Sequence, residues 1–260
     1  MMDPAKNKIY HVDGFHSRTF LETYCANKPG ITLEEGSIKL IIEELHYFFK
    51  FANIKGGTLI DISIGPIIFH LYSACEYFKE MILLRFNDHC IIELKRWLHD
   101  RTGAFDWTDG LSYISEKEGK SSQWEEKSLK LKETIKHILK CYIDRENITD
   151  PLEVPQADCL LITNILGAIS RDENEYISNL KKFTKLLKPG GQLLIYGALN
   201  ATYYMVGKEK FHAFSYDENF IRKAVEGEGF VINHCHVRQR KKKNDLTDWK
   251  AIIFISACKN

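Results

Sequence analysis

The short segment Asp61 to Pro66, with the sequence DISIGP, ends a nearly wholly apolar stretch that begins with TLIDI. Many α/β proteins hold a nucleotide where a buried strand runs into a turn before a helix. Glycines in that turn let the backbone approach the ligand, and the start of the helix favours negative charge. Here Gly65 remains, but Ser63 stands where a second glycine is expected and Ile64 follows it. The pattern leaves two interpretations open: a nucleotide loop, or a turn that only joins a strand to a helix.

Arg85 is the second residue with chemical meaning, because it lies near the end of the next apolar run, MILLRF. In nucleotide-binding sheets, a carboxylate at this place accepts hydrogen bonds from the ribose hydroxyls. A guanidinium has five donors and no acceptor, so Arg85 cannot replace that carboxylate. It could bind a phosphate or a carboxylate, but a solvated or locally paired arginine is the interpretation we favour.

The other reactive side chains form no recognisable catalytic set. His234 and His236, in the sequence HCH, fall on one face of a predicted strand, but no third ligand at suitable spacing accompanies them, so we expect no metal. Neither a Ser-His-Asp nor a G-x-S-x-G arrangement is visible, and the catalytic residues stay unassigned. The basic run Arg238 to Lys243 could contact an acidic partner, but its place in a predicted hairpin loop favours a solvated tip.

The elements that must position these residues alternate between strands and helices. Apolar runs predict strands at TLIDI, MILLRF, ADCLLIT and QLLIY, and a terminal antiparallel hairpin from FVINHCHV and AIIFISA. Helical spacing of apolar residues predicts helices over 37–49, 67–78, 91–98, 122–141, 176–187 and 217–227, the fourth of which begins with a capping-box pattern. This alternation predicts a single domain built on a doubly wound α/β sheet.

Composition narrows the classes of partner. The chain has 260 residues, 27% of them charged, and a formal net charge of +1, so no overall field attracts nucleic acid or a membrane surface. The first residues lack the apolar run of a signal peptide, no segment has the length of a membrane span, and seven scattered cysteines suggest reduced thiols. We therefore expect a cytoplasmic protein, which we take to be a monomer.

Several segments together resemble the nicotinamide, indolethylamine and phenylethanolamine N-methyltransferase family. They are LIDISIGP, AFDW, LKC before position 142, ADC, LLKPGG and TYYMVGKEKF, and they run from about Tyr24 to Phe211. The resemblance implies a Rossmann-like methyltransferase domain over residues 1–260, with 1–55 as an N-terminal helical lid region. It also implies S-adenosylmethionine as cofactor and a small amine or pyridine as methyl acceptor.

The resemblance assigns eleven positions to the cofactor. They are Phe20, Tyr24, Cys25, Ser63, Ile64, Gly65, Arg85, Cys90, Tyr142, Ile143 and Thr163. Tyr24, Gly65 and Thr163 match the family.

At other positions this sequence departs from the family. The ribose-binding aspartate falls at Arg85, the asparagine of the next turn at Cys90, and an aspartate near the adenine at Tyr142. Two tyrosines that close over the cofactor fall at Phe20 and Cys25. Each buried group left without a partner costs about 1–3 kcal/mol, so we expect cofactor affinity to be weakened.

On the acceptor side, the resemblance assigns Gly197, Ala213 and Tyr204. An aspartate of the nicotinamide-using members falls at Gly197 and a serine falls at Ala213, so we expect poor binding of nicotinamide. Two functions remain open at this point. One is an active S-adenosylmethionine-dependent N-methyltransferase with an altered cofactor pocket, and the other is a non-catalytic pseudo-methyltransferase that acts as a binding or interaction protein.

Overall fold

A computed structural model describes residues 7–26, 37–52, 54, 56–120 and 123–259. The strands are β1 (Gly56–Ser63), β2 (Phe78–Arg85), β3 (Ile135–Lys140), β4 (Ala157–Thr163), β5 (Leu187–Leu199), β6 (Tyr203–Val206), β7 (Glu209–His212), β8 (Phe230–Gln239) and β9 (Ala251–Lys259). The helices are α1 (Ser17–Tyr24), α2 (Ser37–Phe51), α3 (Asp88–Leu98), α4 (Thr108–Lys117), α5 (Trp124–Thr134), α6 (Leu166–Ile169), α7 (Glu173–Thr184) and α8 (Glu218–Gly227).

Seven of the strands form one sheet in the order β3-β2-β1-β4-β5-β9-β8. Strands β1 to β5 pair in parallel, whereas β9 is antiparallel to both β5 and β8. Strand order reverses between β1 and β4, so the carboxyl ends of these two strands open the crevice in which such sheets bind ligands. The prediction of a doubly wound sheet with a terminal antiparallel hairpin is confirmed.

The centre of the sheet is built from the apolar runs that predicted it. The ten residues expected there all lie in its strands and are buried: Leu59, Ile60, Ile82, Leu83, Leu160, Leu161, Leu193, Leu194, Ile252 and Phe254. Parallel strands that are covered on both faces need such continuous apolar runs.

The segment after β1 is not the helix that its spacing predicted. Residues 67–77 form two short 3₁₀ turns, Phe69–Leu71 and Ala74–Glu76, and Phe78 already begins β2. Every residue from 61 to 75 is buried, so this segment lacks the polar face of an amphipathic helix. The crevice consequently has no α-helix amino terminus at this loop.

The helix predicted over 122–141 is wrong in its second half. α5 ends at Thr134, and Ile135–Lys140 is strand β3, which pairs in parallel with β2. Short runs with β-branched residues such as Ile135 and Ile138 suit a strand as well as a helix, and pairing with the edge of β2 decides the outcome. The capping-box residue Ser122 lies outside the described residues. Similarly, α7 ends at Thr184, and Leu187 belongs to β5.

A small hairpin, β6 with β7, connects three parts of the chain above the crevice. Lys8 bridges to Phe211 of β7, which ties the amino-terminal segment to the hairpin. On the other side, Tyr204 of β6 bridges to Thr247 in the connection between β8 and β9. That connection therefore folds back over the crevice. No helix in the described part of the chain is long and apolar enough to cross a membrane.

Candidate functional site

A buried ionic cluster occupies the end of β1. The Asp61 carboxylate lies 2.7 Å from His70 Nε2 through Oδ1 and 2.8 Å from Arg85 Nη2 through Oδ2, and all three side chains are fully buried. Ser63 Oγ donates a third hydrogen bond to Oδ2. Burial alone would raise the pKa of Asp61, but His70 and Arg85 outweigh it and hold that pKa below its ordinary value. Asp61 is therefore a paired structural anion.

Arg85 points inward from the end of β2. Its Nη1 donates to the carbonyl of Leu84 at 2.9 Å, and its Nη2 donates to the carbonyl of Ile67 at 3.2 Å in addition to its contact with Asp61. The guanidinium thus binds both the strand end and the turn after β1. Since its charge is neutralised by Asp61, it presents no unpaired cation to the crevice.

Tyr10 and Phe20 cover the glycine of the turn. The backbone N–H of Gly65 donates to Tyr10 Oη at 3.0 Å, and the same hydroxyl lies 3.7 Å from Cys90 Sγ. A Cβ at Gly65 would lie 2.7 Å from Phe20 Cε1, and the φ of Gly65 is +63°, so only glycine fits there. The amide that could bind a ligand carries a hydrogen bond to the protein itself. Burial is the main cause of the raised pKa of Tyr10, so its hydroxyl stays neutral.

The remaining residues assigned to the cofactor are dispersed along the same edge. Tyr142 is 36% exposed, and its ring lies 4.0 Å from the guanidinium carbon of Arg145. The carbonyl of Ile143 accepts a hydrogen bond from Lys182 Nζ at 2.6 Å. Thr163, at the end of β4, is fully buried, and its Oγ1 has no hydrogen-bond partner among the described residues.

Beyond the ionic cluster lies an open cavity of about 520 Å³. This volume falls within the range of about 300–1,000 Å³ that is usual for small-molecule pockets. Its lining includes six of the residues expected at the cofactor or the acceptor: Phe20, Tyr24, Cys25, Ile64, Tyr204 and Ala213. The other eight do not line it: Ser63, Gly65, Arg85, Cys90, Tyr142, Ile143, Thr163 and Gly197. The structure therefore divides the predicted site into a filled part and an open part.

Gly197 lies in β5 behind the cavity wall. A Cβ at this position would lie 2.3 Å from Tyr216 Oη, so the tyrosine hydroxyl occupies the space that a larger side chain would need. Tyr216 itself lines the cavity. An aspartate at position 197 would have to displace Tyr216 before it could reach a ligand.

The basic run at the carboxyl end of β8 is largely exposed, as expected, but part of it also lines the cavity. Arg238 and Lys241 line the cavity, and Arg240 donates from Nη1 to the carbonyls of Thr247 at 2.8 Å and Trp249 at 3.1 Å. The guanidinium carbon of Arg240 also lies 4.6 Å from the centre of the Trp249 ring. Arg240 is the member of the run that departs from a solvated tip, because its hydrogen bonds to backbone carbonyls hold it against the loop.

The histidine pair of β8 contacts a carboxylate. His234 Nε2 lies 3.5 Å from Glu44 Oε1, and His236 Nδ1 lies 2.8 Å from Glu44 Oε2. Across the described ranges, no group of three or more histidine, cysteine or acidic side chains could hold a metal ion. The pair joins β8 to helix α2.

The sequence of the whole chain matches one protein family, described as NNMT/PNMT/TEMT, over residues 4–260. The chain belongs to this family. Among its relatives, it is 32% identical to nicotinamide N-methyltransferase of Homo sapiens, an alignment that covers 97% of this chain and 96% of that protein. It is 37% identical to indolethylamine N-methyltransferase of Oryctolagus cuniculus over 94% of this chain and 93% of the relative.

Solved methyltransferase structures share the fold of this family member. Magnesium protoporphyrin IX methyltransferase from Synechocystis, with bound S-adenosylmethionine, aligns with a TM-score of 0.57 at 9% identity, over 94% of this chain and 90% of the other. The N-methyltransferase NodS from Bradyrhizobium japonicum, in complex with S-adenosyl-L-homocysteine, aligns with a TM-score of 0.53 at 12% identity, over 93% and 98% of the two chains. At these identities the likeness concerns the fold alone.

The residues of this family member do not fit S-adenosylmethionine at the loop after β1. The acceptor needed for the ribose hydroxyls is absent at position 85, where a guanidinium is committed to Asp61. The Gly65 amide is committed to Tyr10, which is 0% exposed. The misfit arises from occupied space and used hydrogen-bonding groups, and not from repulsion between Arg85 and the sulfonium, because Asp61 neutralises Arg85.

Three residues of this site were not predicted from the sequence: Tyr10, His70 and Tyr216. Tyr10 and Tyr216 belong to no local pattern, since their roles depend on contacts with residues 55 and 19 positions away. His70 carried a weak signal, because it is the single polar ring within the apolar stretch IIFHLY. A histidine in such a stretch predicts a buried partner.

Proposed function

We propose that this chain is a non-catalytic member of its family, which binds a small ring-containing molecule in the open cavity without transferring a methyl group from S-adenosylmethionine. The observation that carries the proposal is the buried Asp61–Arg85 ion pair at 2.8 Å in the place where the family resemblance puts the cofactor ribose. The hydrogen bond from Gly65 to Tyr10 supports it independently.

The chemistry of methyl transfer explains why these contacts matter. A nucleophilic nitrogen must attack a methyl group in line, and holding the two reactants together is worth about 7–11 kcal/mol. A cavity that retains only the acceptor side supplies none of this positioning. The retained cavity is still suited to binding, because its wall combines aromatic and aliphatic side chains with a few polar and charged groups.

A second candidate function is methyl transfer with the cofactor held by different contacts. One observation favours it: Thr163 Oγ1 is buried without a partner at the end of β4, and a ligand there would satisfy it. The names of the relatives, which are methyltransferases of nicotinamide, indolethylamine and phenylethanolamine, suggest an amine or pyridine acceptor in that case. In either case we propose a monomeric, cytoplasmic protein. We propose no nucleic-acid or membrane partner, because a net charge of only +1 gives no overall field that attracts either surface.

Calorimetric titration with S-adenosyl-L-homocysteine tests the proposal. We expect no heat of binding at millimolar ligand, while NodS, whose structure contains this ligand, serves as the positive control. Circular dichroism confirms that the titrated protein is folded. Micromolar binding by the unmodified protein would overturn the non-catalytic function and support the second candidate.

The same titration of the variant Arg85→Asp provides a second test. This change restores an acceptor, but it places a new carboxylate beside Asp61 in a fully buried position. Because Tyr10 still holds the Gly65 amide, we expect that the variant also fails to bind S-adenosyl-L-homocysteine. Binding recovered by this single substitution would mean that the ion pair alone closes the site.

A further inference from the structure

The charged side chains around the open cavity are mostly positive. Among the described residues that line it there is one carboxylate, Glu43, and five cationic side chains: Lys39, Arg238, Arg240, Lys241 and Lys242. In a partly enclosed space with low-dielectric walls, such an excess raises the local concentration of anions. This asymmetry is unlike the chain as a whole, which has a net charge of +1.

The single carboxylate does not cancel this charge. Glu43 Oε1 accepts a hydrogen bond from the Tyr113 hydroxyl and lies 3.6 Å from Lys117 Nζ, neither of which lines the cavity. In the loop that follows β8, Asp248 accepts hydrogen bonds from the backbone N–H and the hydroxyl of Thr202 and offsets part of the charge of Arg240, but it does not line the cavity. Asp245 is exposed and does not line the cavity.

Two of the cations are available to a ligand. Within the described part of the chain, Arg238 and Lys241 make no ion pair or hydrogen bond through their side chains, and both are exposed. Arg240 differs, because it is hydrogen-bonded to backbone carbonyls, but these are uncharged and leave its positive charge in place.

The cavity wall also contains aromatic rings and an unsatisfied donor. Tyr204 stacks on Phe211 with 5.4 Å between ring centres, and its buried hydroxyl has no hydrogen-bond partner among the described residues. A buried hydroxyl without a partner is unfavourable, and an acceptor atom of a ligand would satisfy it. Tyr24, beside it, already donates to the carbonyl of Leu246 and accepts from the amide of Met205.

We infer that the cavity selects a ring-containing anion, in which the ring packs on the aromatic wall and a carboxylate-like group meets the cations at the end of β8. The inference deepens the proposed function and rests on it, because it assigns the ligand class of the same cavity. Such a ligand carries the opposite charge to a protonated amine acceptor. The orphan Tyr204 hydroxyl donates to an oxygen of the same ligand.

A matched pair of probes tests this inference on the full chain. Indole-3-propionate and tryptamine share one ring and a two-carbon chain, but they carry opposite charges. By calorimetry at low salt we expect the carboxylate to bind about tenfold more tightly than the amine, a ratio that corresponds to about 1.4 kcal/mol. The advantage should shrink as salt is added, since the mouth of the cavity is accessible to ions.

A double charge reversal isolates the cause. Arg238→Glu with Lys241→Glu should weaken indole-3-propionate binding about tenfold and strengthen binding of tryptamine. The control variant, Lys95→Glu with Lys223→Glu, changes the net charge equally at two exposed helix positions away from the cavity and should leave both affinities unchanged. Equal effects of the two variants would mean that net charge, and not the cavity mouth, governs binding, and would overturn the inference.

The remaining outcomes are also decisive. Equal or tighter binding of tryptamine by the unmodified protein, or no binding of either probe at millimolar concentration, overturns the inference. Binding of S-adenosyl-L-homocysteine is measured in a separate titration and overturns only the proposed function. The two failures are therefore distinguishable, because the probes are compared without any cofactor.

Discussion

Replacing Arg85 with methionine is the most direct test of the ionic cluster. Methionine fills a similar length without a charge, so the Asp61 carboxylate stays buried and keeps only His70 and Ser63 as partners. Removing one member of a buried ion pair costs about 3–5 kcal/mol, because the other charge is left uncompensated. The carbonyls of Leu84 and Ile67 also lose their donor. We expect the free energy of unfolding to fall by this amount.

Urea unfolding measures the loss, and a double-mutant cycle assigns it. Asp61→Asn removes the partner charge, so the double variant Asp61→Asn/Arg85→Met should be more stable than the sum of the single losses predicts, by about 2 kcal/mol or more. Arg222→Met is the matched control, since Arg222 is partly exposed and pairs with Glu218 on helix α8. That control should change stability by no more than about 0.5 kcal/mol.

The stabilising effect of the Asp61–Arg85 pair should also depend on pH. The pKa of Asp61 in the folded protein lies below its ordinary value of 3.8, so the pair stabilises the fold fully above that pH and loses its effect as the pH falls through the lowered pKa. The difference between the unmodified protein and Arg85→Met should therefore be constant near neutrality and shrink in acid. A loss below about 1 kcal/mol at pH 7, or the absence of coupling in the cycle, would refute the buried pair.

Three further outcomes are expected. Tyr10→Phe leaves the buried Gly65 amide without an acceptor and should lower the free energy of unfolding by about 1–3 kcal/mol in urea; an unchanged midpoint would contradict the hydrogen bond. Gly197→Ala sets a methyl group 2.3 Å from Tyr216 Oη and should destabilise by about 1–3 kcal/mol, a loss that Tyr216→Phe relieves. Burial raises the pKa of the Cys90 thiol to about 12, so at pH 8 a thiol reagent should modify it only after unfolding; mass spectrometry of the native protein checks this.

The sheet was predictable because its strands are nearly continuous apolar runs, the pattern expected of parallel strands that are covered on both faces. The neighbouring helices were harder to predict. Residues 67–77 share the apolar spacing of a helix, but the burial of 67–75 on every side and the contact of His70 with Asp61 favour 3₁₀ turns. Residues 135–140 are ambiguous in isolation, and only the edge of β2 makes them a strand.

The candidate site was predictable in outline but not in its interior. Resemblance located the loop, Arg85 and the acceptor side, because these are encoded in local motifs. It did not reveal that Arg85 turns toward Asp61, nor that Tyr10 binds the Gly65 amide, since both depend on contacts between residues 24 and 55 positions apart. The basic run after position 237 could be seen in the sequence. The path of this loop, however, depends on the backbone carbonyls to which Arg240 donates hydrogen bonds.

The Asp61–Arg85 pair also limits how this protein can change by mutation. A carboxylate at position 85 would leave two buried acids facing each other, and this variant would lose about 3–5 kcal/mol from a total stability that is typically about 5–15 kcal/mol. Tyr10 would have to release Gly65 in a separate step that brings no benefit while position 85 is still arginine. A change of position 85 to a carboxylate therefore passes through less stable variants, so the ion pair disfavours substitution of either partner alone.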